Sequence, residues 1–330
     1  MRYNLIYFGS FLEYSAHVLE VLLPHYSVTA VVTTPPKPKG RHLIPTPTAV
    51  ARVARNHKIP VFELDSLDSI PNLPVTPDFL VVAGFGKIIP AAWLALPKIM
   101  PVNMHPSLLP HLRGAFPGEW AILRGDEKTG VSLVKMSEEF DKGDILARRE
   151  IAIAPSHTRE TLYRTLYELG AELLVETLPK IAEGTVTPQP QPKGDHFYAR
   201  RLTRQDGYIP WELVEATMSG KPHTAMQQFN NPPIGEEGIT IAKVMNELHD
   251  AGSVKIPFGI VLDRAVRAFS GWPGVWTEIE IRIKKKGKRK TRLKILRAHT
   301  EASKLIIDTV QLEGTKAIPY VQFITTNVID

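Results

Sequence analysis

The sequence predicts an α/β fold with a parallel-rich sheet, followed by a second, smaller domain built as a β-barrel. Three observations carry this. The chain opens strand–helix–strand, which calls for parallel neighbours joined by a right-handed crossover. Strand and helix patterns continue to residue 183. Beyond a proline-rich stretch at 184–196 the texture changes to short strands parted by glycine and charged turns.

Residues 3–8 (YNLIYF) read as a buried strand that ends at Gly9-Ser10. Leu12, Val18, Leu19, Leu22 and Leu23 form a helical stripe stopped by Pro24, and residues 28–33 form a second, β-branched strand. No GxGxxG follows the first strand, so the fingerprint of a dinucleotide site is missing. Residues 34–47 (TPPKPKGRHLIPTP) read as a long loop carrying Lys37, Lys39, Arg41 and His42 without an acid. Loops of such length are usually functional or disordered. A short helix at 48–56, a short strand at 61–62 and a buried strand at 79–83 come next. The segment 84–90 (GFGKIIP) is a strand-end loop whose glycines permit close backbone approach to a ligand. Residues 99–104 form an apolar strand, and Pro106, Pro110 and Gly114 turn the chain away from it. Strands at 130–136 and 145–153 bracket the turn FDKGD. Thr158 is suited to cap a long helix whose Leu162, Leu166, Leu169, Leu173, Leu178 and Ile181 repeat at helical spacing. Pro188, Pro190 and Pro192 make 184–194 an extended linker. Residues 1–183 are thus expected as one domain and 197–330 as another, with strands at 276–283, 292–297 and 305–312. Within the second, 214–262 is an unusual insertion containing Asn230-Asn231-Pro232-Pro233 and a helix at 241–248.

Composition narrows the class. At 330 residues the chain has room for two buried cores, and 43% hydrophobic with 22% charged residues is ordinary for a globular protein. No apolar run approaches the roughly eighteen residues of a membrane span, and Arg2-Tyr3 leads straight into the first strand with no leader. A cytoplasmic monomer without membrane association is expected. The chain has no cysteine, which excludes disulfides, thiolate catalysis and cysteine metal sites. Net charge is +6, yet residues 282–297 alone hold ten Lys/Arg and no acid, so the remainder is net −4. Basic character is therefore local, and its natural partner is a polyanion.

Candidate chemistry centres on PVNMHPSLLPHLRGAFP at 101–117. Asn103 and His105 stand two apart at a strand end and so share one face. Ligands of open α/β sheets bind at the carboxyl ends of strands. Asp141 or Asp144 of FDKGD supplies a carboxylate for the imidazole. An amide, an imidazole and an acid together suit acyl transfer, as polariser, acid/base and orienter.

These words, NxHxSLLPxxRG followed by FDKGD, resemble the formyltransferases that use 10-formyltetrahydrofolate. With FGKIIP, TGVSLVKM, FYARRLTRQDGYIPW, RAFSGWPGVWT and VQLEGTKAIPYVQF, the resemblance spans nearly the whole chain and extends to the methionyl-tRNA formyltransferases. It implies a Rossmann-like N-terminal domain and a C-terminal barrel related to OB-folds. It implies 10-formyltetrahydrofolate as formyl donor, no metal, and initiator methionyl-tRNA as acceptor, with a small amine such as an amino sugar nucleotide as the alternative. Asn103, His105 and Asp141 become the catalytic positions, with Asp141 preferred over Asp144. Folate falls to Ser107, Leu108, Leu109 and Pro110 with Phe85, Gly86, Ile88 and Ile89, although pattern alone makes the apolar members plain core. The 34–47 loop matches an insertion with which this family grips the tRNA acceptor end, and which sugar-nucleotide formyltransferases lack. Arg41, Lys37 and Lys39 are implied there, Arg201 after the linker, and Lys284, Lys285, Lys286, Lys288, Arg289 and Lys290 in a basic hairpin. The chain departs from the family pattern at Pro106, where many tRNA enzymes have glycine, in its first turn Gly-Ser-Phe-Leu, and by about forty residues within 214–262.

Overall fold

A computed structural model describes residues 2–40, 43–194, 196–220, 256–283 and 287–326. In chain order it contains β1 (Asn4–Phe8), α1 (Leu12–Leu22), β2 (Ser27–Thr33), β3 (Lys37–Lys39), β4 (Ile44–Thr46), α2 (Ala49–Asn56), β5 (Val61–Glu63) and β6 (Phe79–Ala83). Next come α3 (Ala91–Leu94), β7 (Met100–His105), β8 (Arg113–Gly114), α4 (Pro117–Arg124), β9 (Lys128–Lys135), β10 (Ile145–Ala152), α5 (Arg159–Ala182) and β11 (Tyr198–Ala199). The remainder is α6 (Trp211–Met218), α7 (Phe258–Ala268), β12 (Val275–Ile283), β13 (Gly287–Glu301), β14 (Lys304–Leu312), β15 (Ile318–Pro319) and α8 (Tyr320–Thr326).

The chain divides into two compact units. One comprises Met1–Pro117, Lys128–Ile153 and Thr161–Arg200, the other Gly118–Glu127, Ala154–Glu160 and Arg201–Asp330. The proline-rich segment 184–196 is therefore part of the first unit.

The first unit is built on a seven-stranded sheet of order β10-β9-β7-β6-β1-β2-β5. Five strands run parallel, as the opening pattern predicts, and β9 and β10 add antiparallel at one edge. Ile6, Phe8, Val32, Leu80 and Val82 bury one face with Phe85, Ile89 and Trp93, and Phe8 meets Trp93 edge to face at 5.2 Å. On the opposite face, the Tyr7 hydroxyl donates to the Ser15 carbonyl at 2.6 Å. The ring is fully buried, and burial pushes its pKa well up. Gly170 of α5 lies hard against Met104 of β7, where any side chain would collide with the thioether. Thr48 caps α2, its Oγ1 accepting from Ala51 N at 3.1 Å. Thr48→Ala should cost about 1 kcal/mol, read as a lowered denaturation midpoint at unchanged m-value.

The segment expected as a long loop carries two short strands. β3 and β4 pair antiparallel, Lys37 opposite Thr46 and Lys39 opposite Ile44, around Gly40 at φ +71°. Proline content argues against a ladder in a sheet interior. A two-stranded ribbon needs donors only at alternate pairs, so Pro38 opposite Pro45 is tolerated.

The second unit carries a four-stranded antiparallel sheet, β12-β13-β14-β15, consistent with a barrel-like domain. Leu293, Ile295, Leu305 and Ile307 are buried, as are Phe258, Val261 and Leu262 of α7. β13 is fifteen residues long, far beyond the six expected at 292–297. Its basic start extends as strand because acids face it: Glu280 pairs with Lys290 and Glu278 with Arg292 in register. Of the expected insertion, 214–218 closes α6 and 258–262 opens α7, so both ends belong to helices that bury side chains. Residues 221–255, with the helix expected at 241–248, lie outside the described residues.

Candidate active site

The site forms at the carboxyl end of β7, within the first unit. Asn103 sits in register with Val82 of β6 and Val134 of β9, and His105 with Ser132 of β9. Both side chains leave the same face of the sheet. After His105 the chain turns sharply and is stitched to itself. Ser107 N donates to His105 O at 2.9 Å, and the Ser107 hydroxyl donates to His111 O at 2.7 Å. Ser132 Oγ donates to Ser107 O at 2.7 Å and accepts from Leu109 N at 3.0 Å. The turn is thus fixed to the neighbouring strand rather than left to solvent.

His105 is 5% exposed and lies between two oxygens. Its Nε2 stands 3.0 Å from the Leu112 carbonyl, and its Nδ1 3.5 Å from Asp141 Oδ1. A carbonyl can only accept, so Nε2 carries a hydrogen, and Nδ1 is left facing the carboxylate. Asp141 Oδ2 in turn accepts from Gly114 N at 3.0 Å. Asp141 reaches this position with φ +55°, a left-handed backbone unusual for a residue with a side chain. Asp144, the competing acid, offers its backbone carbonyl to Lys135 N at 2.9 Å instead. The Asn103 amide, half-buried beside this pair, makes no hydrogen bond among the described residues. A proton taken up at Nδ1 would meet a carboxylate, and an oxygen gaining negative charge beside Asn103 would meet an unengaged donor.

Similarity to known proteins agrees with this chemistry. Residues 1–178 match the formyl transferase family, and the methionyl-tRNA formyltransferase of Clostridium acetobutylicum is 32% identical over 323 residues, 96% of this chain and 95% of that one. The chain belongs to the methionyl-tRNA formyltransferase family. Members from Bacillus licheniformis and Staphylococcus aureus are 40% and 37% identical over 204 and 203 residues, matches that take in 60% of this chain and 65% of theirs. Among solved structures, an uncharacterised Mycobacterium tuberculosis protein whose description leans to sugar N-formyl transfer superposes with TM-score 0.50 at 17% identity, over 96% of this chain and 100% of that one. Phosphoribosylglycinamide formyltransferase of Bacillus halodurans gives TM-score 0.44 at 25% identity, over 54% and 94%.

The positions that family resemblance implies for folate separate into two groups. Gly86 is exposed and Ile88 is 72% exposed, while Leu108 is half-buried with its Cδ2 over Gly130 of β9. Ser107, Leu109, Pro110, Phe85 and Ile89 are buried. Phe85 and Ile89 pack in the sheet core, and Leu109 packs with Val134 and Ile145. The backbone of Ser107 and Leu109 is bonded within the protein, Ser107 to His105 and Ser132, Leu109 to Ser132 and Arg148. Gly84, at φ +67°, has no room for a Cβ, which would stand 2.5 Å from the Tyr167 hydroxyl and 2.7 Å from Phe11 Cβ.

The basic positions implied for tRNA belong to both units. Lys37 is exposed on β3, and Lys39 shares that strand. Arg201 is exposed at the start of the second unit's main segment. Lys288 and Lys290 lie 3.7 and 2.7 Å from Glu280 and Glu278, while Arg289 between them is exposed. Arg41, Lys284, Lys285 and Lys286 lie outside the described residues. Among the described residues no group of three His, Asp or Glu could hold a metal ion, and no helix is long and apolar enough to cross a membrane.

Two contributors escaped sequence reasoning. Leu112 acts through its carbonyl, which no side-chain pattern signals. Gln191, whose Nε2 donates to the Asp141 and Gly143 carbonyls, lies in the segment expected as a linker, and the alternating prolines there announce only extended backbone.

Proposed function

We propose that this chain transfers the formyl group of 10-formyltetrahydrofolate to the α-amino group of initiator methionyl-tRNA, as a cytoplasmic monomer serving translation initiation. The observation that carries the reading is likeness to a methionyl-tRNA formyltransferase over 96% of the chain. The arrangement of Asn103, His105 and Asp141 supports it. The unengaged Asn103 amide would offer a hydrogen bond to the folate's formyl group, and the exposed Ile88 would offer it apolar contact. When bound, that folate supplies the activated formyl carbon; the rest falls to the chain's own residues. Asn103 donates to the formyl oxygen as charge gathers there, a contribution of roughly 3–4 kcal/mol for one preorganised donor. The attacking amine must lose one proton, and the departing folate nitrogen must gain one. His105 Nδ1 and Asp141 hold the proton between those events, so none is gained or lost overall. Gly114 N fixes the carboxylate that receives it.

For the acceptor, Lys37 and Lys39 of β3, the basic start of β13, and Arg41, Arg201, Lys284, Lys285 and Lys286 supply phosphate contacts. Such contacts give salt-dependent affinity without reading sequence. Incubating the chain with 10-formyltetrahydrofolate and charged initiator tRNA, charged elongator methionine tRNA or amino sugar nucleotides, and following tetrahydrofolate release, tests the reading. Turnover with initiator tRNA is expected. Turnover with sugars alone would move the acceptor to a small amine. Arg41→Ala should raise KM for tRNA by about five- to ten-fold, the weight of one phosphate contact, at little change in kcat. An unaltered KM for tRNA removes Arg41 from the acceptor site.

A further inference from the structure

We infer that Gln191, in the proline-rich segment after α5, is a positioning residue that holds Asp141 in register with His105. The inference rests on the role proposed above for Asp141. Every polar position of the Gln191 amide is engaged around that acid. Its Nε2 donates to the backbone carbonyls of Asp141 and Gly143, each at 2.8 Å. Its Oε1 accepts from Arg113 Nε at 3.0 Å and Nη2 at 2.6 Å. The residue after Arg113 is Gly114, whose N–H holds Asp141 Oδ2 at 3.0 Å. One side chain therefore fixes both the backbone beneath the carboxylate and the strand that receives the carboxylate.

The need for such a clamp is visible in the backbone. A left-handed φ for a residue with a Cβ costs roughly 1–2 kcal/mol and persists only where its surroundings over-determine it. At Asp141 the surroundings are the two Gln191 donor bonds and the bond from Gly114. The segment carrying Gln191 is itself fixed. Ile145 and Gln189 exchange two backbone hydrogen bonds at 2.7 and 2.9 Å, and Pro190 and Pro192 hold Gln191 in extended chain. Farther on, Tyr198 and Ala199 pair with Arg113 and Gly114, and Phe197 O accepts from Leu112 N at 3.1 Å. Leu112 is the residue whose carbonyl meets His105 Nε2. Contacts from Gln189 and Gln191 and from residues 197–199 thus strap down both partners of the imidazole. Among common side chains only glutamine offers two donors and an acceptor at this reach: glutamate has no donor, methionine has neither, and asparagine is a methylene short.

Steady-state kinetics with initiator methionyl-tRNA, on the full chain and its variants Gln191→Met, Gln191→Glu, Asp141→Asn and the double variant Q191M/D141N, test this. Q191M should lose about 10–100-fold in kcat, the effect of sub-ångström misplacement of a reacting group, with KM for both substrates within about two-fold. Q191E keeps the acceptor for Arg113 but has no donor for the two carbonyls, and should fall as far. Should Q191M not fold, Q191E carries the same comparison. In the D141N background, Q191M should cost no more than about two-fold further, because a clamp for an absent acid has nothing left to position. Multiplying losses in the double variant, or full kcat in Q191E, overturns the inference while leaving Asp141 in its role. An unimpaired D141N overturns the role of Asp141 and the inference with it.

Discussion

Asn103→Ala should lower kcat by about 10²–10³-fold while leaving thermal stability and tRNA affinity essentially unchanged. The reason lies in what the amide does before substrate arrives. It is half-buried and hydrogen-bonded to nothing among the described residues, so truncating it breaks no internal hydrogen bond. Its value is realised only when charge develops on a formyl oxygen, and an interaction made only then appears in kcat rather than in KM. His105→Ala should be as damaging to turnover, but not silent in stability. That ring is 5% exposed and meets Leu112 O and Asp141, so its loss leaves Asp141 Oδ1 without its partner and the Leu112 carbonyl with only the Ser107 hydroxyl at 3.3 Å. A penalty of about 1–3 kcal/mol is expected in denaturant titration. The pair of variants thus separates chemistry from architecture. An Asn103→Ala enzyme within about three-fold of full turnover would remove the amide from the reaction, since one oxyanion donor is worth far more.

The contrast between Asn103 and Gln191 explains how much of the site was legible in the sequence. Asn103 and His105 are two apart on one strand, and a strand's period alone puts them together. Asp141 lies in a glycine-containing turn between two strands that pair, so its approach to the sheet follows from topology. The parallel order of β1, β2 and β6 follows from the opening strand–helix–strand in the same way. Gln191 reaches the same place through a tertiary contact spanning 50 residues, from a segment with no hydrophobic period. Nothing local encodes that. The β3–β4 hairpin and the length of β13 are hidden from the local sequence for a related reason. In both, tolerance of proline or of a basic run depends on what stands across the ladder: Pro45 opposite Pro38, Glu280 opposite Lys290. The apolar residues implied for folate show the limit from the other side. Ile88 and Ile89 are adjacent in sequence, yet one is 72% exposed and the other 5%. A motif names both and cannot say which faces out.

Gly143→Ala should reduce kcat by about 10²-fold without altering a single chemical group of the site. Gly143 is buried against the end of β9, and a Cβ built on it would collide with the Lys135 carbonyl oxygen, a backbone atom that cannot swing aside. Room can come only from displacing the loop. That displacement acts on three bonds at once: the Lys135 N–Asp144 O bond at 2.9 Å, the Gln191 donor bond to Gly143 O at 2.8 Å, and the one to Asp141 O at 2.8 Å. Asp141 would leave the imidazole although its carboxylate is intact. Overpacking of this kind costs typically 1–3 kcal/mol of stability, too little to unfold a domain of this size. Gly184→Ala is the matched control. Gly184 sits at φ +71° with nothing within 4 Å of a Cβ, so its substitution costs backbone strain of about 1 kcal/mol and touches no part of the site. Equal stability losses in the two variants, with turnover lost only in Gly143→Ala, would tie that loss to the placement of Asp141. Retained turnover in Gly143→Ala would mean that the acid does not depend on this loop for its position.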